Sequence, residues 1–487
     1  MSTKNGEKIQ IQEHLQQQQK QQLKEEMKEN PNPEIQKQET KQNSYLYQAA
    51  SIFKAYKNIR QIVRRTIIQR SSRLSDLYQA NIFFKREDGQ ITRTYKVRGA
   101  VNKILSLTPE EKQKGVYCCS AGNQVMILYV KMVKNSIRTK EKLFKSKYFK
   151  YLLKIFQYKK IQGVAVAFAC NHLKVKGIIF VPQTTPNDKI QRIKEFGKEF
   201  IEVKLAGLSL QDCDQIATKY GEDNKLISVR LDEKDVIEGC SGVGIEILED
   251  FPLKGKIDYV IFPISSGTLG AGISSYFHQL SPETNIIGIK PIFSENEMVY
   301  EDMQKTMQLD AKNTFKVMDD LSNYQELEIP EGEAYDQVLQ LYNNDGIILE
   351  PHGALAPASL KLLQEKCGSL KGKNIVCILT GKNTSISRMN DIKILANVYQ
   401  KKNVYMLVDF FRKPDAIKEF MVYCLSPEDE ILQIEYTKKN NREKGPALVG
   451  IELASPGNYD KLLAKMLEMK ISHKIIQPND EIFQLKV

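Results

Sequence analysis

A lysine and a loop of small residues are the first candidates for chemistry in this chain of 487 residues. Lys96 lies in the segment Thr-Tyr-Lys-Val-Arg-Gly-Ala, and Ser120-Ala121-Gly122-Asn123 follows downstream. An unprotonated lysine amine is a nucleophile that forms an imine, and burial or nearby positive charge favours that form. The backbone N–H groups of a small-residue turn at a helix start can bind a carboxylate. These are two of the parts that β-elimination from an amino acid requires.

The neighbours of Lys96 indicate how its amine could be kept unprotonated, although Lys96 could also be an ordinary surface residue. We expect Arg98 to supply positive charge and Gly99 to permit tight packing. Taken alone, Lys96 would be an ordinary surface lysine. Taken alone, Ser120–Asn123 would be a helix-capping turn. The interpretation therefore depends on other segments of the chain.

Two more hydroxyl-rich segments follow predicted strands. Ser265, Ser266, Gly267, Thr268 and Leu269 lie between a predicted strand and a helical segment. A loop of this kind lets the backbone approach a phosphate while the helix dipole favours the negative charge. The alternative is a tight strand–helix connection.

Thr380 ends another apolar run and precedes Gly381-Lys382-Asn383. Its hydroxyl could contact a ligand at the strand end. The alternative is a threonine that caps the next turn.

Alternating apolar runs and amphipathic stretches must position these residues. Four short apolar runs predict strands that are buried on both faces, which favours a mostly parallel sheet covered by helices: Gly177–Val181, Tyr259–Ile264, Ile286–Ile289 and Ile375–Leu379. Asp188–Phe196 and Ala356–Gln364 have apolar residues at helical spacing. The fold class predicted for the main part of the chain is therefore α/β.

The pattern changes near residue 403 to strand, helix, strand, strand, helix, strand. This order predicts a separate ferredoxin-like βαββαβ domain, with elements at Val404–Phe410, Pro414–Cys424, Ile431–Thr437, Ala447–Leu453, Tyr459–Met469 and Ser472–Ile476. We therefore divide the chain into a disordered Gln/Lys/Glu-rich tail (1–45), a catalytic domain (46–402) and a regulatory domain (403–487).

The net charge of +12 first suggests a nucleic-acid partner, but its location argues against one. Residues 125–161 hold ten Lys, one Arg and one Glu, so this segment carries nearly all of the excess. No apolar stretch is long enough to span a membrane. The eight scattered cysteines lack metal-ligand spacing and predict free, buried thiols. We expect neither a nucleic-acid nor a membrane partner.

Taken together, the segments resemble the biosynthetic threonine dehydratases, a pyridoxal-phosphate family. Phe84–Asp88 resembles the strand that enters the lysine site, and residues 435–453 look almost unaltered from short forms with one C-terminal ACT-like domain. The resemblance covers roughly residues 75–480 outside the segment 124–161. It implies a tryptophan-synthase-β-like fold with two open parallel-sheet subdomains, followed by the ferredoxin-like ACT-like domain.

The resemblance also implies an activity and a role for each candidate residue. The activity is deamination of L-threonine to 2-oxobutanoate and ammonia, the first step of isoleucine biosynthesis. Lys96 would hold pyridoxal phosphate and then take the α-proton, and Asn123 would contact the ring hydroxyl of the cofactor. Ser120, Ala121, Gly122 and Asn123 would bind the substrate carboxylate. Ser265–Leu269 would bind the cofactor phosphate, and Thr380 the ring nitrogen.

The resemblance further implies an isoleucine or valine effector, a homotetramer or homodimer, and a cytoplasmic location, with mitochondria as the alternative. Asp415 replaces a usual glycine of the regulatory domain, and His352 is unusual in Glu350-Pro351-His352-Gly353-Ala354. We interpret His352 as a turn residue. Rival functions are a serine dehydratase or racemase, and a catalytically silent amino-acid-binding homologue.

The segment 124–161 separates Asn123 from Gln162-Gly163-Val164-Ala165. In the family, only two residues lie between the asparagine and this Gln-Gly-Val-Ala sequence. The segment from 125 lacks Gly, Pro and Asp and is rich in residues with A- and T-rich codons. Our hypothesis is retained intron sequence. The alternative is a genuine basic loop that contacts nucleic acid or an anionic surface. Sequencing the transcript distinguishes the two.

Overall fold

The computed structural model describes residues 48–120, 163–292, 318, 321–411, 415–436, 444–478, 480, 482–483 and 487. The predicted tail, the segment 124–161 and residues 121–123 of the first loop lie outside these ranges. Among the described helices, none is long and apolar enough to cross a membrane.

The described residues form fourteen strands and fifteen α-helices, numbered in chain order. The strands are β1 Ile68–Arg70, β2 Asn81–Arg86, β3 Val116–Cys119, β4 Gly177–Val181, β5 Ile201–Leu205, β6 Ile227–Ser228, β7 Tyr259–Pro263, β8 Asn285–Ile292, β9 Tyr324–Pro330, β10 Asn374–Leu379, β11 Asn403–Phe411, β12 Glu430–Tyr436, β13 Lys444–Glu452 and β14 Ser472–Ile475. The helices are α1 Ala49–Ile59, α2 Ser72–Tyr78, α3 Lys96–Ser106, α4 Pro109–Lys114, α5 Gly163–Leu173, α6 Asn187–Gly197, α7 Leu210–Asp223, α8 Lys234–Asp250, α9 Thr268–Leu280, α10 Glu331–Asp345, α11 Leu355–Ala358, α12 Leu360–Cys367, α13 Ile386–Tyr399, α14 Ala416–Cys424 and α15 Asn458–Glu468.

The larger sheet has six strands in the order β1-β2-β10-β7-β8-β9. Every pairing in it is parallel except that of the edge strand β1 with β2. The central strand β10 is buried along Ile375–Leu379, as its apolar run predicts. The predicted strands in β7 and β8 are confirmed with their ends shifted by one to three residues. This sheet is the scaffold for two of the candidate loops.

The smaller sheet has four parallel strands in the order β5-β4-β3-β6. Strand β4 has the predicted bounds, and helix α6 covers the predicted Asp188–Phe196 with one more residue at each end. The two sheets confirm the prediction of two parallel-sheet subdomains.

One predicted helix, Ala356–Gln364, is divided in the structure into α11 and α12 at Ser359. Helical hydrogen bonds still cross this point, from the Ser359 N–H to the Leu355 carbonyl at 3.1 Å and from the Leu363 N–H to the Ser359 carbonyl at 2.9 Å. The Ser359 hydroxyl also donates to the Ala356 carbonyl at 2.8 Å. The predicted helical stretch is therefore confirmed, with a break at one residue, Ser359.

Two glycines let α3 and α8 cross at close range. A Cβ on Gly99 would lie 2.6 Å from the Val236 carbonyl oxygen, and one on Gly239 would lie 2.9 Å from the Gly99 Cα. Either side chain would force the two backbones apart, so the packing role predicted for Gly99 is confirmed. The close crossing brings the first turn of α3 against buried polar residues of α8.

The C-terminal elements form a separate antiparallel sheet in the order β12-β13-β11-β14. Helices α14 and α15 pack on it around a core that includes Met406, Phe420, Val449 and Met466. The sheet order and the two crossover helices are those of a ferredoxin-like fold. All six predicted elements are present.

All eight cysteines lie in the described residues and all are free. Six are buried, Cys119 is half-buried and Cys367 is exposed. The prediction of free thiols is confirmed, and burial holds for all but these two.

Candidate functional site

The candidate loops lie at the carboxyl ends of parallel strands. Thr380 directly follows β10, Ser265 follows β7 after one residue, and Ser120 directly follows β3. Strands β10 and β7 are hydrogen-bonded neighbours, so their loops emerge side by side. Ligands of open α/β sheets bind outside the carboxyl ends of the strands. The position of these loops is therefore that of a ligand site.

The segment Thr94-Tyr95-Lys96 joins the candidate groups. The Thr94 and Thr380 hydroxyl oxygens are 3.4 Å apart. The Tyr95 hydroxyl forms a hydrogen bond with Ser265, and burial of the ring raises the pKa of Tyr95. Lys96, the next residue, begins α3. Three consecutive residues thus connect the loop after β7, the loop after β10 and the lysine.

Burial prepares the Lys96 amine. It lowers the pKa of Lys96 to about 8, while the carboxylate of Glu350 opposes that shift. An amine with this pKa is partly unprotonated near neutral pH, as a nucleophile requires. The surface-lysine interpretation was therefore wrong.

The positive charge expected from Arg98 is neutralised by two carboxylates. Arg98 donates to Glu87 at 2.7 and 3.0 Å and to Glu246 at two distances of 2.8 Å. Lys85 completes the cluster by donating to Glu246 at 2.6 Å and to the Thr66 carbonyl at 2.7 Å. All four charged side chains are at most 1% exposed. Arg98 links α3 to α8 through Glu246 and to the end of β2 through Glu87. Burial, and not the charge of Arg98, lowers the pKa of Lys96. The expectation that Arg98 supplies this positive charge was therefore wrong.

The opposite charges keep this buried cluster ionised. Burial alone would lower the pKa of Arg98, but Glu87 and Glu246 outweigh burial and raise it. Burial alone would raise the pKa of Glu246, but Arg98 and Lys85 outweigh burial and lower it. The cluster is a buried ion-pair network that includes Arg98, two residues after Lys96.

The loop after β7 fits a phosphate group. Ser265, Ser266 and Thr268 are buried hydroxyl residues, Gly267 has φ +74°, and Leu269 is buried in the first turn of α9. The Ser266 and Thr268 hydroxyl oxygens are 2.7 Å apart, and Thr268 donates to the Leu231 carbonyl. No acidic residue occupies the first turn of α9. Hydroxyl donors, a helix N-terminus and the absence of a carboxylate suit the phosphate of pyridoxal phosphate.

The segment after Glu350 packs against the end of β10. A Cβ on Gly353 would lie 1.6 Å from the Thr380 carbonyl oxygen, and the Glu350 N–H donates to the Gly381 carbonyl at 2.7 Å. Burial and the nearby charge of Lys96 lower the pKa of His352 to about 3. His352 is therefore a neutral residue beside the lysine, which the turn interpretation missed.

Ser120 links the two ends of the interrupted segment. Its hydroxyl accepts a hydrogen bond from the Gly163 N–H at 3.0 Å, and its own N–H donates to the Phe180 carbonyl at 2.9 Å. Ser120 thereby caps the start of α5 from the end of β3. The structure does not describe Ala121, Gly122 and Asn123, so their predicted roles stay predictions.

Sequence reasoning missed Glu246 and Tyr95. Glu246 is a carboxylate in an otherwise apolar part of α8, which was a signal for a buried partner. The contact of Tyr95 with Ser265 left no signal in the sequence, because it depends on how distant elements pack: α3 and α9 both pack against α8.

Comparison with known families assigns both parts of the chain. The model of the family described as pyridoxal-phosphate dependent enzyme matches residues 59–129 and 162–381. A second model, the C-terminal regulatory domain of threonine dehydratase, matches residues 395–485. Residues 130–161 thus lie between the two matched parts of the first family.

Two curated relatives match almost the full chain. The biosynthetic L-threonine dehydratase IlvA of Bacillus subtilis (strain 168) is 32% identical over 92% of this chain and 99% of its own length. The protein of that name from Corynebacterium glutamicum is 32% identical over 89% of this chain and 94% of its own length.

Two solved structures share the fold. The processed form of threonine deaminase isoform 2 from Solanum lycopersicum has a TM-score of 0.57 at 24% identity, covering 74% of this chain and 89% of that one. Maize serine racemase has a TM-score of 0.56 at 21% identity, covering 73% of this chain and 99% of that one.

Proposed function

The chain belongs to the pyridoxal-phosphate-dependent biosynthetic threonine dehydratases, and from that premise we propose how its residues convert L-threonine to 2-oxobutanoate and ammonia. The enzyme is an ammonia-lyase that uses pyridoxal phosphate and serves isoleucine biosynthesis. The observation that carries the assignment of residues is the segment Thr94-Tyr95-Lys96. It contacts the loop after β10 through Thr94 and the loop after β7 through Tyr95.

Lys96 holds the cofactor and later moves a proton. Its amine has a pKa lowered to about 8 by burial, so the unprotonated form is accessible for attachment and for accepting the α-proton of threonine. When bound, pyridoxal phosphate acts as the electron sink that allows the β-hydroxyl to leave. The buried cluster of Arg98 with Glu87 and Glu246 fixes the start of α3 and so the position of the amine.

The two strand-end loops hold opposite ends of the cofactor. Ser265–Leu269 bind the phosphate through hydroxyls and the N-terminus of α9. The Thr380 hydroxyl oxygen lies 3.4 Å from that of Thr94. From this position it would contact the ring nitrogen of the cofactor. A hydroxyl, unlike a carboxylate, would leave that nitrogen largely unprotonated, which would limit electron delocalisation into the ring and favour elimination over transamination.

The substrate carboxylate binds at Ser120–Asn123, after β3. The support from the described residues is the position of Ser120, which directly follows β3 and caps α5. Asn123 contacts the ring hydroxyl of the cofactor in this proposal. Both assignments follow the family pattern.

The C-terminal domain senses an amino-acid effector. We assign isoleucine or valine to residues 403–480, in a homotetramer or homodimer with a cytoplasmic location. Asp415, which precedes α14 directly, replaces the usual glycine, and effector sensitivity is the property that this substitution is expected to change.

Turnover of threonine and serine tests the proposal. The purified, cofactor-loaded chain is expected to release 2-oxobutanoate from L-threonine with a higher kcat/KM than it releases pyruvate from L-serine. Faster pyruvate release or D-serine formation would instead assign a serine dehydratase or racemase. Amino-acid binding without any 2-oxo acid would assign a silent homologue.

A further inference from the structure

A cavity lies outside the residues assigned to the cofactor and substrate. It has a volume of about 380 Å³ and lies between α6 and residues 383–385, which precede α13. Arg93, Lys189 and Arg192 contribute its positive charges. Helix α6 follows β4 of the smaller sheet, and residues 383–385 follow β10 of the larger sheet. The cavity is therefore lined by both parallel-sheet subdomains.

The three cations of this cavity outnumber the two carboxylates that line it, those of Asp188 and Glu195. Burial lowers the pKa of Lys189, and the positive charges of Arg192 and Arg93 add to that effect, although Glu350 and Asp188 oppose it. Burial and then the charge of Arg93 lower the pKa of Arg192, although Glu350, Glu195 and Asp188 oppose that shift. A lowered pKa means that the surroundings disfavour the charged form. The cavity thus holds more positive charge than its own carboxylates stabilise.

The contacts of these cations agree with that excess. The Lys189 ammonium donates to the Asn383 carbonyl, and the Arg93 guanidinium donates to the Lys382 carbonyl at 3.4 Å. The Nε of Arg192 is buried and has no hydrogen-bond partner among the described residues. The Lys189 ammonium lies 4.0 Å from the carboxylate of Asp188, whose side chain is 54% exposed. Lys189 is also in the first turn of α6, where the helix dipole disfavours a cation.

Two buried polar atoms on the facing loop also lack partners. Asn383 is 3% exposed, and its Oδ1 has no partner among the described residues. The same holds for the Thr384 hydroxyl. Buried polar groups are rarely left without hydrogen bonds in folded proteins. A ligand that satisfies both sides must offer anionic oxygens to Arg192 and a hydrogen-bond donor to Asn383.

We propose that this cavity binds a small oxyanion that also carries a hydroxyl group, either a monohydrogen phosphate group or a hydroxycarboxylate. Its oxygens accept hydrogen bonds from Arg192, with Arg93 and Lys189 supplying the charge. Its hydroxyl donates to Asn383 or Thr384. The bound anion bridges α6 to the loop after β10 and so joins the two subdomains beside the site of Lys96. The proposal does not depend on the reaction assigned to the chain.

Calorimetry on the cofactor-loaded enzyme tests the proposal. Loading the enzyme first fills the phosphate loop at Ser265–Leu269. Inorganic phosphate and glycolate are then titrated separately, and saturable binding of at least one is expected. Because Arg192→Gln removes the charge-assisted donors, it should weaken that binding by about tenfold or more. Binding of phosphate alone assigns a phosphate group, and binding of glycolate alone assigns a carboxylate.

A matched control removes the same charge from the same helix. Lys194 is exposed on α6 and does not line the cavity, so Lys194→Gln should leave binding unchanged. Arg192→Lys keeps the charge but not the guanidinium, and an intermediate affinity is expected. If Arg192→Gln fails to bind the cofactor, the affinity of Arg192→Lys for the anion is compared with that of wild type instead. Equal binding by wild type and both Arg192 variants, or no saturable binding of either anion by wild type, overturns the proposal.

Discussion

The hydroxyl of Ser120 accepts a hydrogen bond from the backbone N–H of Gly163 at 3.0 Å, although 43 positions separate the two residues in the chain. The end of β3 and the start of α5 are therefore already in contact. A Cβ on Gly163 would lie 3.0 Å from the Cβ of Ser120, so the contact is a close one. Ser120 and Gly163, the two described residues that flank this part of the chain, are thus in direct contact.

Removal of residues 126–161 is expected to preserve the fold and the activity. The variant keeps two residues between Asn123 and Gln162 and so restores the family spacing. Because Ser120 and Gly163 already meet, a short connection closes the loop at a small entropic cost. The measurement is 2-oxobutanoate release by the variant and the full chain. We expect the variant to be at least as fast, and a slower or unfolded variant would show that the segment is required.

Replacement of Arg98 by methionine is expected to destabilise the protein by about 3–5 kcal/mol, because it leaves Glu87 and Glu246 buried without their partner. Urea unfolding of the apo chain measures the change. Arg65→Met is the matched control, since Arg65 also pairs with two carboxylates, Glu249 and Asp250, but is 45% exposed. Its cost should not exceed about 1 kcal/mol. Equal losses for both variants would contradict the role of burial.

The rate of cofactor attachment is expected to depend on pH with a midpoint near the lowered pKa of Lys96, which is about 8. Only the unprotonated amine attacks, so the rate should rise with pH and level off above this value. Glu350 favours the charged amine, and Glu350→Gln should therefore move the midpoint to lower pH. Stopped-flow absorbance of the apo chain mixed with pyridoxal phosphate measures both curves. A rate that keeps rising to pH 10 would contradict the account.

Replacement of Thr380 by valine is expected to reduce kcat by about tenfold to a hundredfold, as loss of a buried hydrogen bond at a reacting group predicts. Thr380→Ser keeps the hydroxyl and should retain most of the activity. Steady-state assays with threonine compare the three proteins. Similar rates for the valine and serine variants would remove Thr380 from the cofactor site.

The larger features of the fold could be predicted from apolar patterns. The buried strand in β10 and the six C-terminal elements follow from runs whose period and length leave one interpretation. The break at Ser359 within the predicted helical stretch could not be placed, because it depends on a local hydrogen bond from the Ser359 hydroxyl to the Ala356 carbonyl.

The site was only partly predictable, for a physical reason. Lys96, Ser265 and Thr380 lie in motifs whose residue types indicate their chemistry. The contacts that join them run through Tyr95 and Thr94, and such contacts depend on the packing of distant elements. The charge of Arg98 was assigned to the wrong partner, because the sequence does not show that Glu246 of α8 lies beside it.

Chemical identification of the lysine that carries the cofactor tests the central claim most directly. Borohydride reduction of the cofactor-loaded chain fixes the pyridoxyl group, and peptide mapping then locates it. The account predicts the label on Lys96, its loss in Lys96→Ala together with 2-oxobutanoate release, and its retention in Lys103→Ala, a control on the same helix. A label on another lysine, or one that persists in Lys96→Ala, would contradict the account.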